Sequence, residues 1–225
     1  MFLQSGPNQT MVLYIPSIFI SYTGEALDEK TVLLRSVEVV SRAAVNMLHT
    51  IGMKEVKRVQ ATLGTEQEFF FVDRALYALR PDLRMSGRSL IGSLPPKHQQ
   101  MEDHYFGRIP SRVLAAISEA ELELYRLGVP IKTRHNEVAP AQFEMAPIFE
   151  DATVAVDHNL LTMDVLHKVA HRHKLKVDFF FLAVICLNGL ISQVGALPRK
   201  AIQGCQRIRQ ALQLVLVDRH WSQLA

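Results

Sequence analysis

The stretch GTEQEFFFVD, Gly64 to Asp73, constrains this chain more than any other. Its aromatic and β-branched residues favour an extended backbone, on which successive side chains point to opposite faces. A strand over Glu66 to Asp73 therefore puts Glu66, Glu68, Phe70 and Val72 on one face and Gln67, Phe69 and Phe71 on the other. Apolar residues on both faces predict a strand buried on both sides, and a buried carboxylate is costly unless a cation or hydrogen-bond donors offset its desolvation. A divalent metal is one solution and an arginine partner is another. The stretch alone leaves both open.

The rest of the chain supplies elements to surround such a strand. From Thr31 to Ile51 the apolar positions Leu33, Val37, Val40, Ala44, Met47 and Ile51 recur every three or four residues, which predicts a core-facing helix stopped at Gly52. Val56 to Leu63 alternates at Val59, Ala61 and Leu63 and predicts a strand, joined to the next by a turn at Gly64 and Thr65. After a loop-like region from Pro81 to Gly107, Pro110 opens a second helix with Val113, Ile117, Ala120, Leu124 and Leu127 inward and Gly128 as its stop. An extended segment broken by Pro140 and Pro147 leads to a third helix from about Asp151 to His173, with Val165, Leu166, Val169 and Ala170 inward. Regular βα alternation is missing, and neither GxGxxG nor GxxxxGK[ST] occurs, so the fold class predicted is α+β.

Composition narrows the function classes. A chain of 225 residues that is 48% hydrophobic can bury one large core or two small ones. Its 25 basic and 22 acidic residues are interspersed, without the basic face of a nucleic-acid binder. Cys186 and Cys205 form no disulfide framework and no zinc signature, which points to a reducing, intracellular compartment. The first twenty residues lack a basic head and contain Pro7 and Pro16, against a signal peptide. Phe179 to Leu197 is uncharged and long enough to span a bilayer, but Asn188, Gly189, Ser192, Gln193 and Gly195 dilute it and argue against a membrane anchor.

Two further clusters carry chemistry. In RHNEVAPAQFE, Glu137 and Glu144 flank a proline-containing turn that can return them to one small volume, and converging carboxylates select a hard cation, Mg²⁺ or Mn²⁺. His167 and His171 share a helical face, with His173 nearby. The HExxH pattern is missing and Lys168, Arg172 and Lys174 surround them, so this reads as a solvated basic face. The acidic EAELE, Glu119 to Glu123, reads as the exposed side of the second helix.

Taken together, GTEQEFFFVD, MEDHYFGRIPSRV, GVPIKTRHNEVAPAQFEMAPIFE and AVDHNLLTMDVLHKVAHRH resemble the catalytic region of glutamine synthetase. With YIPSIFISYTGEALDEKTVLLRS the resemblance is to the type III branch and spans roughly Met11 to Val177. It implies an N-terminal remnant at 1–10, a partial catalytic domain at 11–177, built as a curved antiparallel sheet with packed helices, and an unrelated apolar tail at 178–225. The family joins glutamate and ammonia at the expense of ATP through γ-glutamyl phosphate, with Mg²⁺ or Mn²⁺ at the site, in a cytoplasmic homo-oligomer of two stacked hexameric rings. By motif, Glu66 resembles a ligand of the metal beside the nucleotide phosphates. Glu68, Glu137 and Glu144 resemble ligands of the metal nearer glutamate, and Phe149 a nucleotide-contacting aromatic. Ala141 stands where the family often has glycine, a change expected to be tolerated if the backbone there is not left-handed.

The chain also departs from the family. Beyond HRHKLKV the family's N-G-S-G-x-H segment, its phosphate-binding arginines, its Glu-bearing flap and its last metal Glu find no match, nor does its N-terminal β-grasp domain. The expectation is a truncated synthetase-like chain with little or no ligase activity alone, in which Glu66 has lost its companions. The alternative is a non-catalytic subunit that co-assembles with a full-length synthetase.

Overall fold

The aromatic run forms an inner strand of a four-stranded antiparallel sheet. In the computed structural model, which describes residues 2–5, 10–87, 89–92 and 100–179, β1 (Phe2–Ser5) and β2 (Met11–Tyr14) pair, α1 spans Glu29–Thr50, and β3 is the short Thr62–Leu63. β4 (Gln67–Asp73) is followed by the short helices α2 (Arg74–Ala78) and α3 (Pro81–Ser86), a 3-10 turn at His104–Phe106, and α4 (Ser111–Arg126). A hairpin of β5 (Ile131–Asn136) and β6 (Gln142–Pro147), the short β7 (Glu150–Asp151), α5 (Ala152–Arg172) and β8 (Leu175–Phe179) follow. The strands run in the order β5-β6-β4-β8, and β3 pairs separately with β7. This is the α+β class expected.

Helices α4 and α5 cover one face of the sheet. Phe69 and Phe71 of β4 and Phe143 and Met145 of β6 pack with Ile117, Ala120 and Leu124 of α4 and with Val165, Leu166, Val169 and Ala170 of α5. The inward residues predicted for both helices are thus in the core, and Gly128 ends the α4 segment at a φ of 87° that costs a glycine little. Full burial of each large apolar side chain stabilises by about 1.5–3 kcal/mol. The other face of β4, with Glu68, Phe70 and Val72, is half-buried. The expectation of burial on both faces holds on one side only, because α4 and α5 both pack against the Phe69 and Phe71 side.

Two other expectations change in detail. The helix α1 starts after Asp28, whose carboxylate accepts from Thr31 N at 2.7 Å as an N-cap. Its most buried residues are Thr31, Ser41 and Leu48, while Val40, Met47 and Ile51 of the predicted stripe are exposed. Ser41 turns inward because its hydroxyl accepts from Val59 N at 3.1 Å. That bond also occupies the strand predicted over Val56 to Leu63. Only Thr62 and Leu63 are extended and paired there, with Asp151 and Glu150.

The uncharged run beyond Phe179, and with it nearly all of the expected tail at 178–225, lies outside the described residues. Among the described residues, no helix is long and apolar enough to cross a membrane.

Candidate metal centre

The register of the sheet builds a polar row on its half-buried face. His135 of β5 stands opposite Glu144 of β6, and Glu144 stands opposite Glu68 of β4. Side chains in such positions lie roughly 5 Å apart at Cβ, and like charges there are destabilising. Glu137 joins the row from the hairpin turn, where its N–H bonds the Gln142 carbonyl at 2.9 Å. One donor atom from each of His135, Glu137 and Glu144 lies within 4.8 Å of the others. His135 Nδ1 is 3.7 Å from Glu137 Oε1 and its Nε2 is 3.8 Å from Glu144 Oε1.

That turn is tight. Ala141 adopts φ 58°, in the left-handed region, at a cost of about 1–2 kcal/mol for a residue with a Cβ. The condition under which alanine was expected to be tolerated is therefore not met. Gln142 N donates to the Ala139 carbonyl at 3.2 Å, and the Gln142 side-chain oxygen accepts from Ala139 N at 3.2 Å, so the turn closes on itself.

Electrostatics follow from this crowding. Burial pushes the Glu144 carboxyl up to about 8, helped by a hydrogen bond with Glu137 and by repulsion from Glu66, Glu137 and Glu68. Burial also raises Glu68, with Glu137 and Glu66 adding to it. Tyr105, from the 3-10 turn, donates its hydroxyl to Glu137, which raises its own pKa, and its ring lies 6.0 Å from that of His135. Among the described residues, no lysine or arginine pairs with any of the four carboxylates, and the nearby Arg134 pairs with Glu121. The arginine alternative finds no support in the described residues. A dication fits this site: carboxylate oxygens with one imidazole suit Mg²⁺ or Mn²⁺, and a positive ion offsets the burial and the repulsion that raise Glu144.

The predicted residues are brought together unevenly. Glu137 and Glu144 converge as expected. Glu68 faces Glu144, and its Oε2 accepts the side-chain amide of Gln142. Glu66 is exposed just ahead of β4, outside the three-donor group, although its charge still acts on Glu68 and Glu144. Phe149 lies in the β6–β7 connection, 50% exposed, with its backbone against Gly64. His135 was not singled out from sequence; its signal was its place two residues before Glu137, on the same face of an extended segment.

Neither rival cluster forms a metal-capable group among the described residues. His167 and His171 are exposed on α5. Glu119 and Glu123 are not a free acidic face, because they bind Arg172 and Glu119 also pairs with His173 at 2.5 Å, tying α4 to α5.

Known proteins decide the family. The model of the glutamine synthetase catalytic domain matches residues 40–192, and that of the glutamine synthetase type III N terminal matches residues 1–36. The chain belongs to the glutamine synthetase family. Its likeness within that family is to the type III branch: it is 55% identical over 178 residues to a type-3 glutamine synthetase of Dictyostelium discoideum, covering 79% of this chain and 24% of that protein. A glutamine synthetase of Bacteroides fragilis (strain YCH46) is 54% identical over 167 residues, 74% of this chain and 23% of that one. The chain thus spans about a quarter of the length of these glutamine synthetases. The cryo-EM structure of Plasmodium falciparum glutamine synthetase shares the fold with a TM-score of 0.55 at 16% identity, over 78% of this chain and 35% of that chain.

Proposed function

We propose that this chain carries the glutamate-side metal half of a glutamine synthetase active site, serving the ATP-dependent joining of glutamate and ammonia. The observation that supports this is the three-donor group of His135, Glu137 and Glu144 with Glu68 directly opposite, in a member of this family. In this reading Glu68, Glu137 and Glu144 hold Mg²⁺ or Mn²⁺, and His135 stands ready as a further donor. Glu66 would serve the metal beside the ATP phosphates, and Phe149 would contact the nucleotide. When bound, the divalent metal supplies positive charge where phosphoryl transfer develops negative charge. The chain's own contribution is positional: the sheet register fixes the carboxylates in advance.

The setting is proposed as a cytoplasmic homo-oligomer, following the family. Little ligase activity is expected from the 225-residue chain by itself, since the nucleotide-side partners of Glu66 have no counterpart in its sequence. A second reading, a subunit that assembles with a full-length synthetase, draws on the exposed apolar residues Val32, Val39, Val40 and Met47 of α1. Co-purification with a full-length partner supports it, and a monodisperse monomer counts against it.

Calorimetric titration with Mn²⁺ tests the metal reading. The chain is expected to bind, and the double variant Glu68→Ala, Glu144→Ala to bind far more weakly; undiminished affinity in that variant refutes the assignment. Synthetase or γ-glutamyl transferase turnover by the purified chain would contradict its expected inactivity.

A further inference from the structure

Gln67 sits in sequence between the two carboxylates of β4 and points the other way, toward α5. It is 8% exposed, and both ends of its amide are engaged. Its Oε1 accepts from Asn159 Nδ2 at 3.2 Å, and its Nε2 donates to the Glu68 carbonyl at 2.8 Å. A helix is thereby tied to the peptide unit of Glu68. The turn of α5 that bears Asn159 is itself held, by His158 against Glu150 at 2.5 Å and by the Thr162 hydroxyl on the His158 carbonyl at 2.8 Å.

Asn159 has an unusual feature. Its Oδ1 is buried and makes no hydrogen bond among the described residues. Leaving such an atom unsatisfied is costly, and a leucine of similar size at this position carries no such atom. Packing alone is therefore a poor account of the residue.

We infer that Asn159 is a positioning residue which, acting through Gln67, fixes the backbone from Glu66 to Glu68 and so the places of those two carboxylates relative to His135, Glu137 and Glu144. The inference deepens the metal reading above and rests on it. Its physical basis is that a side chain leaves the backbone in a direction set by its own peptide units. Holding the Glu68 carbonyl through Gln67 restricts the rotation that would otherwise let Glu68 swing away from its place opposite Glu144.

The test uses Asn159→Leu, Gln67→Met and the double variant, each in the whole 225-residue chain, with Mn²⁺ alone as the probe. Each single change is expected to weaken Mn²⁺ binding about 10-fold, the scale at which groups behind metal ligands act. The double variant should be no weaker than either single, because both break one chain of contacts. The urea midpoint of Asn159→Leu should stay near the parent's, since loss of the orphaned Oδ1 offsets loss of the bond to Gln67. Gln67→Met carries the test if Asn159→Leu does not fold. Unchanged Mn²⁺ affinity in a folded single variant, or losses that multiply in the double, overturns the inference. A metal-free measurement separates this outcome from failure of the metal reading: in ¹H–¹⁵N spectra without metal, the amide signals of Glu66 and Glu68 should move in Asn159→Leu. Signals that stay in place refute the positioning role. Signals that move in a chain that does not bind Mn²⁺ sustain that role and sink the metal reading instead.

Discussion

Glu68 and Glu144 occupy directly opposed positions on β4 and β6, two carboxylates face to face with Glu144 only 7% exposed. Such a pair works against folding unless a proton or a cation sits with it. Each state of the site therefore has a distinct signature.

The first signature is in pH. The Glu144 carboxyl is raised from 4.5 to about 8 in the fold, so between those values the folded protein keeps a proton that the unfolded chain has released. Stability without metal is full below the unfolded value and is lost as pH rises through the folded one, by at most about 1.4 kcal/mol per pH unit for one proton. Urea midpoints measured from about pH 5 to about pH 8 should fall, and Glu144→Gln should flatten the trend. A wild-type midpoint that climbs over this range would contradict the assignment.

His135 should matter to the metal more than to the fold. It completes the three-donor group while remaining partly exposed. His135→Ala is expected to lower Mn²⁺ affinity by about 10-fold or more with little change in the urea midpoint. Equal affinity in calorimetry would remove His135 from the site.

Ala141 is the strained point of the hairpin that brings Glu137 back to Glu144. Replacing it with glycine relieves the left-handed φ of 58°, and Ala141→Gly should stabilise the chain by about 1 kcal/mol. Chemical denaturation reads this directly, and a destabilised variant would show that the turn is not left-handed in solution.

The sheet stands on its aromatic underside. Phe69 is fully buried, 5.1 Å from Phe71 and 6.2 Å from Phe143 between ring centroids. Phe69→Ala should cost about 3–5 kcal/mol and take Mn²⁺ binding with it, since Glu68 is its neighbour on the strand. A variant that retained both stability and binding would mean the site does not depend on this core.

Much of the scaffold was legible because it repeats. The inward residues of α4 and α5 follow the helical period closely, and the alternation from Gln67 to Asp73 separates the Phe69 and Phe71 side from the Glu68 side. The face of α1 was not legible. Periodicity finds its apolar stripe, whereas a hydrogen bond from Val59 turns Ser41 inward and leaves Val40 and Met47 exposed. The segment before β3 misled for the same reason, since its backbone bonds the Ser41 side chain rather than a neighbouring strand.

By itself the sequence determined which residues have the chemistry for a metal and which side of each element they leave from, because both are properties of residue type and local period. It placed Glu68, Glu137 and Glu144 as a potential set. Only the tertiary structure decided the partners: that Glu144 meets Glu68 on one side and His135 on the other, that Glu66 stays exposed, and that Asn159 reaches Gln67 from α5. Strand register and helix docking join residues far apart in the chain, through a shared core that local spacing does not encode.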